Sequence, residues 1–338
     1  ELSRVLQKGT LYILGLEDQA GGNVPTFYKI GITTDTVDKR IRQLQTGNPY
    51  QIIPLHTFDF EAAELVEGHL HRRFSTNRRI LEWFDLSNDE LDAVIQEAED
   101  FAEEIAELAI IVRDLDRTPS DSEAIIATPE ALDLHQEALR LEAEKTQNKL
   151  KKEIIRNQIE ALVGISKGIP GIASIGVTKP KMSFKKALLK KEHPDLYFSY
   201  TSRGPIKMAM KIIGKAKPSD FPQLYEERVK TKAPRIEVDE LEGVNIDRDE
   251  ASILLHDSYQ HIISAEGEVE RDLVLVKMRL KAICGAAKSI DGVCSYVREH
   301  GVEFDKDRFQ ADHPDLYNEF TTQIGPQRRL SVRKSRNY

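Results

Sequence analysis

The sequence predicts an α+β N-terminal domain, in which a small antiparallel three-stranded sheet is flanked by helices, followed by a largely α-helical spacer and two all-α domains. Three observations carry this expectation. Two apolar, tyrosine-bearing runs sit close together near the start of the chain, later stretches repeat apolar residues at helical spacing, and a basic block recurs 120 to 121 residues downstream.

The first run is Leu11-Tyr12-Ile13-Leu14, and the second, after a Gly-rich turn, is Phe27-Tyr28-Lys29-Ile30-Gly31-Ile32-Thr33. Both read as strands of one hairpin. Side chains alternate along a strand, so Lys29 and Gly31 share one face and Tyr28 and Ile30 the other. The segment from Asp35 to Leu44 has apolar residues at 37, 41 and 44, the spacing of a helix packed on a sheet, and carries Arg40 and Arg42. A second helix is expected from Glu61 to Phe74, with apolar positions 62, 65, 66, 70 and 74. Glu67 and His71 are four apart and share a face of that helix. Glu82-Trp83-Phe84 closes the domain, with Trp83, the single tryptophan of the chain, expected in the core.

Order, spacing and residue types over residues 9 to 95 resemble the GIY-YIG nuclease superfamily, closest to the phage-associated branch whose second motif is written YKIG. The resemblance implies a metal-dependent DNA endonuclease with Tyr12, Lys29, Arg40, Glu67 and His71 as catalytic residues. Glu67 would be the carboxylate that holds Mg2+ or Mn2+, and His71 a nearby supporting or phosphate-contacting group. Phosphodiester cleavage asks for a proton acceptor, a cation facing the phosphate and a carboxylate for a divalent metal, and this segment has all three. Aligning on Gly31 puts Lys29, not Tyr28, where most of the superfamily has its second tyrosine. Lys29 reads either as a cation that stabilises the phosphate and lowers the pKa of Tyr12, the general base, or as an ordinary strand lysine in a decayed site. Arg40 matches the family's arginine, and its planar fork suits phosphate; Arg42 is the rival. Glu61 and Glu64 are rival carboxylates on the same helix. Leu81 stands where related sequences often have glycine.

Residues 88–117 and 129–166 read as long charged helices, broken around Thr118-Pro-Ser-Asp-Ser122, and form the acidic spacer assigned to residues 96–150. No sustained heptad argues for a coiled coil. Along the chain the net charge alternates: −4 for 1–95, −10 for 96–150, +11 for 151–232, −9 for 233–270 and +4 for 271–338, within a total of −8. An acidic total therefore does not exclude polyanion binding by the basic blocks.

The basic blocks are also a repeat. Lys167-Gly-Ile-Pro-Gly171-Ile-Ala-Ser174 matches Lys288-Ser-Ile-Asp-Gly292-Val-Cys-Ser295, and His-Pro-Asp-Leu-Tyr occurs at 193–197 and again at 313–317. Each copy reads as helix, short helix, turn and longer helix, with Pro170 opening the second and Ser183 capping the third. This pattern resembles helix-turn-helix modules of phage terminases and recombinases, giving repeat 1 at 151–232 and repeat 2 at 271–338, separated by an acidic linker at 233–270. The resemblance implies double-stranded DNA as partner, with Lys181, Ser183, Lys185, Lys186, Lys190 and Lys191 as contacts in repeat 1. Lys306 and Arg308 follow in repeat 2, and the tail adds Arg328, Arg329, Arg333, Lys334 and Arg336. The two modules, tethered by residues 237–249, are expected to grip adjacent segments of one duplex. His-Pro-Asp-Leu-Tyr itself is read as a helix junction with Leu and Tyr turned inward.

Cys284 and Cys294 lack metal-ligand spacing and read as core residues. No apolar run suggests a membrane span, so a soluble, cytoplasmic, DNA-associated protein is expected, encoded by a phage or mobile element. The resemblance implies a site-specific or homing-type enzyme; the rival is a non-catalytic DNA-binding regulator that keeps the nuclease fold. A homodimer stays open.

Overall fold

The computed structural model describes residues 6–17 and 27–333. Lys334 and Arg336 lie outside the described residues. The chain begins with β1 (Gly9–Glu17), β2 (Phe27–Thr33), α1 (Val37–Gln45), β3 (Gln51–Phe60) and α2 (Ala63–Arg73). Two short strands follow, β4 (Arg78–Ile80) and β5 (Trp83–Asp85). The sheet is antiparallel and has five strands rather than the expected three, in the order β3-β1-β2-β5-β4. The extra pair escaped the sequence because three-residue strands are too short to show a period. Trp83 belongs to β5 and stays half-buried, while its neighbour Phe84 is the core residue.

All four residues of Leu11-Tyr12-Ile13-Leu14 are buried, because both faces of β1 are covered. Leu11 and Ile13 pack with Ile30, Leu65, Val66 and Leu70 on the α2 side. Tyr12 and Leu14 pack with Val37, Ile41 and Leu44 of α1, the stripe that the helical spacing indicates. Leu81, in the turn between β4 and β5, has a φ of 52°, the left-handed region where a glycine avoids steric cost.

The next helix, α3 (Asn88–Asp116), starts at a capping box made by Ser87 and Glu90. Its expected role as an extended spacer does not hold. Val94, Ala98, Phe101, Ile105, Ala109 and Val112 form one buried stripe that joins the N-terminal core. The charges that suggested a spacer occupy its other faces.

Two 35-residue helices dominate the remainder: α4 (Pro129–Val163) and α8 (Glu250–Cys284). They run antiparallel, linked by Lys152–Glu266 and by Lys277–Glu142 at 2.8 Å. The boundaries drawn at 150/151 and 270/271 fall inside these helices. After α4 come β7 (Gly168–Ile169), β8 (Ala173–Val177), β9 (Lys181–Phe184), α5 (Lys186–Glu192), α6 (Pro194–Ser199), β10 (Thr201–Ile212) and α7 (Pro222–Lys230). After α8 come β11 (Ser289–Ile290), β12 (Cys294–Phe304), α9 (Lys306–Asp312), α10 (Pro314–Glu319), β13 (Thr321–Ile324) and β14 (Arg328–Val332). The strand β6 (Ala124–Ile125) joins β11 in parallel.

Neither copy is an all-α helix-turn-helix. Pro170 opens a β-turn: Gly171 has a φ of 81°, Ile172 N–H donates to the Ile169 carbonyl at 3.0 Å, and the chain returns as β8. Proline's fixed φ suits both a helix start and the second position of a turn, so the residue alone could not choose. Ser183 accordingly lies in β9 instead of capping a helix.

Nor are the copies two tethered beads. Strand β8 pairs with β14 and β9 with β13, whereas β10 pairs with β12, so each copy's strands complete the other's sheets. The His-Pro-Asp-Leu-Tyr runs do form helix junctions, and their tyrosines, Tyr197 and Tyr317, pack into one core with Leu189, Phe309 and Phe320. Cys284 and Cys294 are buried in the neighbouring core as free thiols. Among the described residues no helix is long and apolar enough to cross a membrane.

Candidate active site

The centre of the site is a tyrosine laid over a glycine. Tyr12 on β1 pairs with Gly31 on β2, and both face α1. A Cβ at position 31 would stand 2.6 Å from the Tyr12 hydroxyl oxygen, so only glycine leaves room for the phenol. Arg40, on the first turns of α1, donates from Nε to that oxygen at 3.2 Å. Burial pushes the Tyr12 phenol above its usual range, and the Arg40 hydrogen bond and charge partly oppose this. The cation on Tyr12 is therefore Arg40, and the expected lowering of the Tyr12 pKa by Lys29 is not what the geometry produces. Gly31→Ala is expected to destroy the tyrosine's position: the fold should lose roughly 2 kcal/mol in urea unfolding, as overpacking does, and any cleavage activity should vanish. An unchanged melting curve would show that Tyr12 can move aside at no cost.

Lys29 is almost completely buried, and its Nζ makes a 2.5 Å ion pair with Glu82 Oε2. The ammonium also lies 5.8 Å from the Trp83 ring centroid. Lys29 is thus tied to a carboxylate that the sequence marks only as the start of the run closing the domain. The one signal for Glu82 is its place in the turn just before Trp83-Phe84, where β5 pairs with Lys29.

Glu67 on α2 has its carboxyl pushed up to about 8, first by burial and then by the negative charge of Glu82, with Arg271 and Lys29 pulling the other way. Of the rival carboxylates, Glu61 pairs with Lys8 at 2.7 Å, and Glu64 lies 3.6 Å from Arg271, the same cation that acts on Glu67. Arg271 comes from α8, some 200 residues from α2 in sequence, and nothing local could have announced it. Gly68 leaves it space, since a Cβ there would meet its Nε at 2.8 Å. That Nε is buried without a hydrogen-bond partner. Arg72–Asp272 and Arg78–Glu268 help seat α8 against the N-terminal domain.

His71 is buried, with Nε2 donating to the Ile30 carbonyl at 2.9 Å and its ring against Phe84. Burial holds its pKa down, to about 4, so the imidazole is neutral at physiological pH and ties α2 to β2. A phosphate-contacting cation is not what this environment makes of it.

Among the described residues no three His, Cys, Asp or Glu side chains gather as a metal cage. Magnesium keeps much of its water and commonly takes only one or two carboxylates. Glu67, where ionisation is disfavoured and a second carboxylate is close enough to matter, fits such an ion: a divalent cation would relieve the repulsion that raises its pKa.

The expected DNA contacts divide. Lys181, Lys185, Lys186, Lys190 and Lys191 are exposed on β9 and α5, with Ser183 half-buried beside them. Lys306 and Arg308 are exposed on α9, and Arg42, Arg329 and Arg333 are exposed as well. Arg328 is not a surface contact: its side chain is 7% exposed, pairs with Glu160 at 2.5 Å and donates from Nη2 to the Gly164 carbonyl at 2.8 Å. It satisfies the end of α4, as Arg298 satisfies the end of α8 through the Gly285 and Ala286 carbonyls.

Fold and site together define an α+β domain that holds a buried tyrosine under an arginine, next to the Lys29–Glu82 pair and the Glu67 carboxyl. Residues 9–99 match the T5orf172 domain family. That family is phage-associated and consists of nuclease-like, DNA-acting domains. No curated protein matches the chain, and no solved structure does either.

Proposed function

We propose that the chain is a metal-dependent DNA endonuclease with a GIY-YIG-type site, carried to DNA by its C-terminal body. The observation that supports this most is the convergence of Tyr12, Arg40, Glu67, Lys29 and Glu82 on one neighbourhood, where Arg40, Glu82 and Glu67 act on the Tyr12 phenol, and Glu82, itself paired with Lys29, acts on the Glu67 carboxyl. Arg40 covers the Tyr12 hydroxyl with the fork that phosphate oxygens prefer. A phosphodiester taken by Arg40 would draw the guanidinium off the phenol and leave Tyr12 oxygen facing the attacking water as proton acceptor. Lys29, held by Glu82, would face the same phosphate charge. Glu67 would hold Mg2+ or Mn2+, which supplies positive charge opposite the leaving oxygen.

A second reading has its own support: Tyr12 is fully buried, its pKa is raised, and Lys29 is already paired, as in a domain that binds DNA without cutting it. Cleavage separates the two. Wild type incubated with phage or bacterial genomic DNA and magnesium or manganese should give discrete cuts, and Tyr12→Phe should slow them by about a hundredfold or more, the range for losing a general base. Tight binding with no metal-dependent cutting selects the second reading.

A further inference from the structure

The C-terminal body is built with a quasi-two-fold relation between its copies. Both ends of α4 and α8 differ by 121 positions, and the glycines that end them share one geometry, Gly164 at φ 53° and Gly285 at φ 56°. Phe184 pairs with Thr321 as Phe304 pairs with Thr201, and Ala173 with Val332 as Cys294 with Ile212. His193 meets the edge of Phe320 and His313 that of Tyr200 at 84° and 81°.

Charge breaks this symmetry. Residues 167–201 carry seven lysines and two acids, whereas the counterpart 288–321 carries four basic residues and eight acids. Lys185 is replaced by Asp305, Lys190 by Gln310 and Lys191 by Ala311 at the equivalent positions of α9 and the residue before it. The second copy folds the same way without those lysines, so the fold does not require them. Like charges gathered on a surface carry a self-repulsion cost that a bound polyanion relieves. In the first copy Lys181, Lys185, Lys186, Lys190 and Lys191 are exposed, and no acid pairs with them among the described residues. In the second, Arg308 lies 3.7 Å from Asp312, and its guanidinium stacks on Tyr200.

The geometry points to a one-sided duplex-DNA surface: the β9–α5 face of the first copy takes the phosphate backbone, and the second copy is its scaffold. The choice of DNA among polyanions rests on the reading of residues 9–99 as a DNA-acting domain. On this proposal one repeat, rather than both, grips the duplex.

The test uses the full chain in EDTA with a fluorescent duplex of about 30 base pairs, titrated between about 50 and 200 mM salt. The triple variant Lys185→Asp, Lys190→Gln, Lys191→Ala carries the residues that the second copy already tolerates. It should bind more than about tenfold more weakly, with a salt slope shallower by about 2.7, three phosphate contacts' worth. Lys306→Gln with Arg308→Gln should change affinity by less than about twofold. Equal losses in the two variants, no loss in the triple variant, or capture by phosphatidylserine but not phosphatidylcholine vesicles that depends on the three lysines and is tighter than duplex binding would overturn the assignment. A wild type that cuts DNA while the triple variant binds normally sinks this surface alone. Binding that depends on the three lysines, with no cutting when magnesium or manganese replaces EDTA, sinks the nuclease reading alone.

Discussion

Glu67→Gln is expected to unfold at a higher denaturant concentration than wild type at alkaline pH and to cut no DNA. The Glu67 carboxyl titrates at about 8 in the fold and near its ordinary value of 4.5 when the chain is unfolded. Between those values the unfolded chain has released a proton that the folded chain retains, so raising the pH favours unfolding. The contribution of this group to stability is complete below pH 4.5 and is lost as pH rises through about 8. Glutamine keeps the neutral form at every pH. At pH near 8.5 the variant should therefore be more stable by roughly 4 to 5 kcal/mol, shrinking to about zero near pH 4. Magnesium adds a second readout, because a ligand that binds only the folded state raises its stability. The ion should raise the melting temperature of wild type and leave Glu67→Gln unmoved. Equal stability of the two proteins at pH 8.5, or an equal response to magnesium, would place neither the strain nor the metal at Glu67.

Lys29→Met should be the most destabilising single change at the site. Lysine 29 is 1% exposed and Glu82 19%, and removing the ammonium leaves Glu82 unpaired beside Glu67. Breaking a buried pair from one side costs about 3 kcal/mol or more, while replacing both partners with apolar groups is often close to neutral. The double variant Lys29→Met, Glu82→Leu should then recover most of the loss in urea unfolding, and neither variant should cut DNA. A loss under about 0.5 kcal/mol in the single variant, the size of a surface pair, would make Lys29 the ordinary strand lysine that the sequence also permits.

The N-terminal domain was largely legible because its elements are long and periodic. The stripe at 37, 41 and 44 set α1 on the sheet, and strand alternation put Gly31 on the Tyr12 face, so Tyr12 and Arg40 meet as the residue order indicates. The C-terminal copies were legible as a repeat and as paired helix junctions, but not as strands. Most of their β-segments are short and broken by Pro180 and Pro326, and the long strands β10 and β12 carry Pro205 and Gly301, residue types that usually mark a turn.

By itself, then, the sequence determined which residues lie within a few positions of one another and which face they share: the Tyr12–Gly31 hairpin, the Arg40 helix, the Glu67 helix and the duplication. Tertiary structure alone decided the pairings between distant segments. It tied Lys29 to Glu82, brought Arg271 beside the Glu67 helix, buried Arg328 at the end of α4 and wove the strands of each copy into the other's sheets. The physical reason is that helical and strand periodicity encode only local direction, whereas ionisation and burial depend on what packs alongside, and those neighbours come from anywhere in the chain.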